Sequence, residues 1–316
     1  MTKRKDKSGR RPARSGGKPG PKGRSQAAPQ AGGQDQARGR ARGQEAAAPR
    51  RRAPRRAPRG AQGAGGGPPL WLFGVHAVLA ALANPNRRPE RLLLTPEAAQ
   101  TWGARLREVR APAHAALAVE TVQRRDIDDL LPEGAVHQGL ALRSAPLAQP
   151  ALEDLLTPRE SGETAPPRRV VVLLDQVTDP HNVGAVLRSA AAFGALAVVA
   201  LDKGAPEESG TLAKSASGAM EAVPYISVVN LARSLDLLKE AGFWCLGLAG
   251  EAETTLAASD PGDSVALVLG AEGPGLRRLT RERCDLLVKL PTRPPIDSLN
   301  VSNAAAVALY ELLGRV

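Results

Sequence analysis

The sequence predicts an α/β protein built on a mostly parallel sheet, with a smaller α/β unit and a basic tail ahead of it. Three observations predict it. Large apolar residues are missing from residues 1–69, short helical and strand patterns mix over residues 70–145, and from Arg169 onward short apolar runs alternate strictly with amphipathic segments. Strands that alternate with helices pack as a parallel sheet covered on both faces. The expected organisation is a disordered basic tail at 1–69, a small α/β domain at 70–145, a linker at 146–168 and a larger α/β domain at 169–316.

Residues 1–69 contain no Val, Ile, Leu, Phe, Tyr or Trp, so they cannot bury enough apolar surface to offset the entropy of ordering them. They carry nineteen Lys and Arg against Asp6, Asp35 and Glu45, a net of +16, which leaves the rest of the +11 chain at −5. The basic character therefore belongs to the tail. Clusters such as Arg50-Arg51-Arg52 and Arg55-Arg56 suit neutralisation of nucleic-acid phosphates without reading sequence. A tail that only keeps the chain dissolved has the same composition. With three Trp, two Tyr and three Phe, the chain has no aromatic platform on which single-stranded bases would stack.

In the small domain, the segment Leu70–Leu82 has apolar residues at helical spacing after Gly74, and Asn84-Pro85-Asn86 stops it. Arg91–Leu94 reads as a short strand, Pro96–Val109 as a helix, Ala115–Val119 as an alternating stretch and Val122–Leu131 as a charged helix. A last strand follows His137-Gln138-Gly139. Pro150, Pro158, Pro166 and Pro167 mark the linker. The larger domain opens with the apolar run Val170–Leu174, then helix Asn182–Phe193, strand Leu196–Leu201 and helix Ser209–Ser217. Strand Val223–Val229, helix Ala232–Ala241, and strands Phe243–Leu248 and Val265–Leu269 follow. Helix Leu276–Cys284, strand Asp285–Leu290 and a closing helix over Val301–Leu313 complete it.

Cys245 and Cys284 sit in apolar or helical stretches with no short spacing, as reduced core cysteines do. His76, His114, His137 and His181 are scattered, so no metal site is expected. The N-terminal charge has no apolar stretch behind it and no run reaches membrane-spanning length. A cytoplasmic protein without a membrane partner is expected.

Ligands of parallel sheets bind outside the carboxyl ends of the strands, so the loops there carry the chemistry. The first runs from Asp175 to Ala185 and contains Asn182, well placed as a helix N-cap. Arg188 falls off the apolar stripe formed by Val183, Val186, Leu187, Ala190 and Phe193; it is either solvated or, facing a cleft, a holder of phosphate or ribose. The second loop, Gly270-Ala271-Glu272-Gly273-Pro274-Gly275, lets a ligand approach the main chain. Its spacing is not the dinucleotide fingerprint, which argues against a nicotinamide dehydrogenase. Glu272 also suits the N-terminus of the helix that follows. The third loop runs from Leu290 to Ala304 and holds two capping residues, Ser298 and Asn300, more than one helix requires.

Together these loops resemble the three motifs of the SpoU/TrmH family of RNA ribose methyltransferases, in the SPOUT superfamily. The carriers are Asp179-Pro180-His181-Asn182-Val183-Gly184-Ala185 with Arg188, then Gly270–Gly275, then Ser298-Leu299-Asn300-Val301-Ser302. Phe73–Val78 and Val136–Gly139 are similar to the small RNA-binding domain of the ribosomal RNA members. Where many relatives read Pro-Met-x-Gly, this chain has Pro291-Thr292-Arg293-Pro294, and Asn303 replaces a common valine.

The resemblance implies a SPOUT-type sheet with a C-terminal trefoil knot, a homodimer, and S-adenosylmethionine as methyl donor. It implies donor contacts at Gly270, Gly273, Gly275, Leu290, Pro291 and Leu299, and a catalytic group of Asn182, Arg188, Glu272, Ser298 and Asn300. The implied reaction is methylation of a ribose 2′-hydroxyl, of a guanosine, in large-subunit (23S) ribosomal RNA. The family proposal that the arginine acts as base conflicts with the rule that guanidinium stays protonated; Arg188 orients the ribose and neutralises a phosphate if Ser298 or water takes the proton. Two other readings stand beside it: a transfer RNA ribose methyltransferase, and a non-catalytic RNA-binding assembly factor.

Overall fold

The described part of the chain opens where large apolar side chains begin. The structure, a computed structural model, describes residues 67–156, 168–296 and 298–314; apart from its last three residues, the basic tail lies outside them. Strand β1 (Leu70–Phe73) starts the small domain and helix α1 (Val75–Ala83) follows directly. The strand was not expected, because four apolar residues are too few for periodicity to separate strand from helix. Gly74, at φ +88°, makes the turn between them in a region of backbone space that side chains disfavour.

β2 (Pro89–Leu94), α2 (Pro96–Val109), β3 (Ala118–Thr121), α3 (Arg124–Asp128) and β4 (Leu140–Ser144) complete this part. Thr95 caps α2 by accepting from the Ala98 amide, and Pro96 occupies the first helical position, where no N–H is needed. The sheet order is β1-β4-β2-β3, with β4 antiparallel to both neighbours and β2 parallel to β3.

The larger part runs β5 (Arg169–Asp175), α4 (Pro180–Phe193), β6 (Ala197–Leu201), α5 (Gly210–Ala216), β7 (Tyr225–Val228), α6 (Leu231–Glu240), β8 (Trp244–Leu248), β9 (Thr254–Thr255), β10 (Ser264–Gly270), α7 (Arg278–Arg283), β11 (Leu286–Lys289) and α8 (Val301–Leu309). Its seven strands lie in the order β7-β6-β5-β10-β8-β11-β9, and every pairing is parallel. β5 and β10 occupy the middle, where helices cover both faces, and this is why their sequences are continuous rather than alternating. Leu173 is fully buried there; its truncation to Ala would cost about 2–5 kcal/mol.

The ends of elements differ from expectation for local reasons. Pro224 has no N–H for a ladder, so β7 begins at Tyr225 rather than Val223. β9 is two residues long, too short to show a period. The π-helical turn Tyr310–Gly314 continues α8.

The two sheets share one apolar core, which runs from Leu72, Val75 and Val78 through Leu212, Ala213 and Ala216 to Val172 and Val183. Helix α5 is the wedge between them. A Cβ on Gly184 would come within 2.4 Å of the Ser215 Cβ, and one on Gly210 within 2.2 Å of the Trp71 carbonyl oxygen, so only glycine permits these approaches. The first part of the segment expected as a linker is packed. Leu147 donates its amide to Glu208 (2.8 Å), Gln149 accepts from the Ser227 amide (3.2 Å), and Leu152 is buried against β5 and β6. Residues 157–167 lie outside the described part.

Candidate active site

The site gathers at the carboxyl ends of β5, β10 and β11. β5 and β10 pair in register to their last residues, Asp175 against Gly270, so the loops that leave them start side by side. The β5 loop enters α4 through Asp179, whose carboxylate accepts from the His181 amide, with Pro180 at the first helical position. Asn182 is therefore not the N-cap expected from the sequence. Asp179 takes that role because Pro180 is preorganised for the first turn, which frees the Asn182 side chain for other partners.

The β10 loop folds back on its own strand. The Gly275 amide donates to the Ala271 carbonyl (3.0 Å), and a Cβ on Gly270 would lie 2.2 Å from the Gly275 carbonyl carbon. Gly273 and Gly275 both have positive φ. The loop is tied at its far end to β5: Asp175, wholly buried, accepts from the Arg277 amide (2.9 Å) and from Arg277 Nε (2.6 Å). This tie shortens the expected helix Leu276–Cys284 to α7, and it was missed in the sequence. Its only signal there is a carboxylate that ends an otherwise apolar strand.

Three expected residues meet. Asn300, the N-cap of α8, donates through Nδ2 to Glu272 Oε1 (2.6 Å) and to Asn182 Oδ1 (3.0 Å). Asn182 Nδ2 donates to the same Glu272 oxygen (3.2 Å). Asn300 Oδ1 accepts from the Ser302 amide (2.8 Å) and hydroxyl (2.5 Å). The amide orientations are fixed by this pattern, since either amide turned over would set oxygen against oxygen. Asn300 is saturated, whereas Glu272 Oε2 has no protein donor among the described residues and Asn182 retains one N–H. One free acceptor beside one free donor suits a hydroxyl group, which both donates and accepts.

The other expected residues stand around this triangle. Arg188 is exposed on α4, about 9 Å further along the helix than Asn182. It makes no hydrogen bond or ion pair among the described residues and is not joined to the triangle. Ser298 is exposed two residues before Asn300, again with no hydrogen bond to the triangle. Leu290 is half-buried directly after β11; Pro291 and Leu299 are exposed on the loop that follows. Next to Asn182, His181 Nδ1 lies 3.0 Å from the Ser215 hydroxyl on α5. Among the described residues no group of three His, Cys, Asp or Glu is placed to hold a metal, and no helix is long and apolar enough to cross a membrane.

A nucleoside-bearing methyl donor fits this donor set. Bare main chain stands open at Gly273 and Gly275, where nothing lies within 4 Å of a Cβ position, and exposed apolar side chains (Ile296 and Leu299) lie on the neighbouring loop. Such a surface offers backbone donors and acceptors to a base edge and apolar contact to its face.

Comparison with known proteins gives the family of the chain. Residues 169–310 match the model of the SpoU rRNA methylase family, and residues 71–150 match a domain described as RNA 2′-O ribose methyltransferase substrate binding. The chain is 43% identical over 243 residues to the 23S rRNA (guanosine-2′-O-)-methyltransferase RlmB of Yersinia pestis, which covers 77% of this chain and 96% of that one. The chain belongs to the SpoU methylase family. It is also 42% identical over 246 residues to RlmB of Xanthomonas campestris, with 76% of this chain and 94% of the SpoU relative covered. The SpoU methyltransferase AviRb of Streptomyces viridochromogenes, solved with AdoMet, has the same fold: TM-score 0.64, 21% identity, 78% of this chain and 90% of that one.

Proposed function

We propose that this chain is an S-adenosylmethionine-dependent RNA 2′-O-ribose methyltransferase that acts on a guanosine of large-subunit (23S) ribosomal RNA. One observation carries the reading: Asn182, Glu272 and Asn300 converge from three chain segments at the sheet's carboxyl edge and, among the described residues, leave one donor and one acceptor free. The curated relatives named above add the substrate class, and ribosomal RNA makes the cytoplasm the place of action.

When bound, S-adenosylmethionine supplies a methyl group on a sulfonium, open to in-line displacement by an oxygen. Main chain at Gly270, Gly273, Gly275, Leu290, Pro291 and Leu299 would hold it. A ribose hydroxyl is a poor acid, so the chain's task is to orient that oxygen and provide for its proton. Glu272 Oε2 accepts from the 2′-hydroxyl while Asn182 donates to it, and Asn300 keeps both in place. Arg188, exposed and without a hydrogen bond or ion pair among the described residues, holds the neighbouring phosphate through its fork of donors, and the proton held by Glu272 Oε2 passes to water, with Ser298 as a relay.

In the same reading residues 70–145 are the RNA-binding domain, 146–168 join it to the catalytic domain at 169–316, and the tail at 1–69 adds phosphate contacts. Removal of residues 1–69 is expected to weaken RNA binding and flatten its salt dependence; an unchanged salt slope would remove the tail from RNA binding. The return of α8 from the region of β11 to pack on α4 supports a C-terminal trefoil knot. Val307, exposed on α8, and Tyr310, exposed at the start of the turn that continues it, support a homodimer in which that helix meets its partner.

The deciding experiment offers labelled donor with unmodified ribosomal RNA and with transfer RNA, separately, followed by nucleoside analysis. Label in 2′-O-methylguanosine of large-subunit RNA is expected. Label in transfer RNA alone overturns the substrate, and donor binding with no transfer to either RNA favours an assembly factor.

A further inference from the structure

A buried ionic cluster closes the seam between the two sheets and takes no part in the site. Arg87, between α1 and β2, has no exposed side-chain surface, and Glu208 and Glu221, on either side of α5, are 6% and 8% exposed. Arg87 Nη1 donates to Glu208 Oε1 (2.5 Å) and to the Ala145 carbonyl (3.2 Å). Its Nε donates to Glu221 Oε1 (3.1 Å), and Nη2 donates to the same oxygen. Asn84 Nδ2 donates to Glu221 Oε2 (2.7 Å) and the Leu147 amide to Glu208 Oε2 (2.8 Å), so each carboxylate oxygen has a partner. Burial pulls the Arg87 pKa down, but the hydrogen bonds and charges of Glu221 and Glu208 outweigh it and hold the guanidinium above its ordinary value.

The small sheet supplies the cation and the larger part supplies both anions. Apolar packing is non-directional and tolerates sliding, whereas a forked guanidinium between carboxylates fixes distance and angle. Apolar residues of similar volume would often stabilise such a seam as well or better, so the cluster is explained less by stability than by a defined arrangement. The element it clasps leads to the site: α5 carries Ser215, which meets His181 beside Asn182.

We propose that Arg87 is a positioning residue. Through Glu208 and Glu221 it fixes the register between the small domain and the Asn182–Glu272–Asn300 triangle, and so determines which nucleotide of a bound RNA is methylated. This rests on the methyltransferase reading, with the RNA held in part by the small domain.

The test compares wild type, Arg87→Lys, and a triple variant Arg87→Met, Glu208→Gln, Glu221→Gln that leaves no unpaired buried charge. On a large-subunit RNA fragment the triple variant is expected to raise KM about tenfold, to spread methyl groups to neighbouring nucleotides, and to leave donor affinity within about twofold. Arg87→Lys, which keeps the charge but not the fork, falls between. Independently of catalysis, spin labels at Glu108→Cys on α2 and Glu240→Cys on α6 are expected to give a narrow distance distribution that broadens in the triple variant. A folded triple variant with an unchanged product map, or an unchanged distance distribution, overturns the proposal. A wild type that transfers no methyl while the distances respond overturns the methyltransferase reading and leaves the seam lock standing.

Discussion

Two clusters of Asn and Glu knit distant parts of this chain, and they differ in what surrounds them. The triangle at the sheet edge joins residues 90 and 118 positions apart, stands in solvent and contains no cation. The seam cluster joins residues up to 137 positions apart, is largely buried and is built around a guanidinium. A carboxylate oxygen left open beside an amide is ready for a ligand, whereas one whose donors are all protein groups is committed to holding the fold. Environment, rather than residue type, separates a site from a strut.

The largest expected effect breaks the closed cluster. Arg87→Met strands two buried carboxylates and is expected to lower stability by about 3–5 kcal/mol, read by urea denaturation. A loss below about 1 kcal/mol would mean the cluster is more hydrated than its burial implies. Next comes the open side. Arg188→Ala should leave the denaturation midpoint nearly unchanged and reduce methyl transfer on the order of 100- to 1000-fold with donor affinity intact, since it removes a charged donor from the reacting end. Near-normal turnover would remove Arg188 from the mechanism.

The smallest effect concerns groups that belong to neither cluster. Burial pushes the Cys245 and Cys284 thiols up from 9.0 to about 12, so folded protein at pH 8 should resist alkylation while unfolded protein reacts. Because the folded pKa is the higher one, the two thiols favour the folded state below pH 9.0, and that contribution fades as pH climbs toward about 12. Rapid labelling of native protein at pH 8 would show that the core around β8 opens.

Legibility from sequence followed the range of the interaction. The Gly270–Gly275 loop, the Asn300 cap and the alternation of strands with helices are local patterns, and they were readable because short stretches decide them. Asn182 was read as a cap because Asp179, three residues earlier, competes for the same post and only geometry separates them. β1 and β9 escaped because four and two residues carry no period. The Asp175–Arg277 tie left only a carboxylate at the end of an apolar strand and the Arg87 cluster left no trace, since each depends on chain segments a hundred or more positions apart. The openness of the triangle also had to be seen in three dimensions.

The wedge formed by α5 has a bearing on how the chain is made. β1 lies at the edge of the small sheet, with the Trp71 carbonyl beneath Gly210, and α5 is translated roughly 130 residues after α1. At about 5–20 residues per second that is a delay on the order of ten seconds. During it the nascent small domain carries an uncapped strand edge and the apolar patch that α5 will cover, the combination that invites pairing with another chain. A synthetic pause after β4 would lengthen that window, whereas faster elongation through α5 would close it.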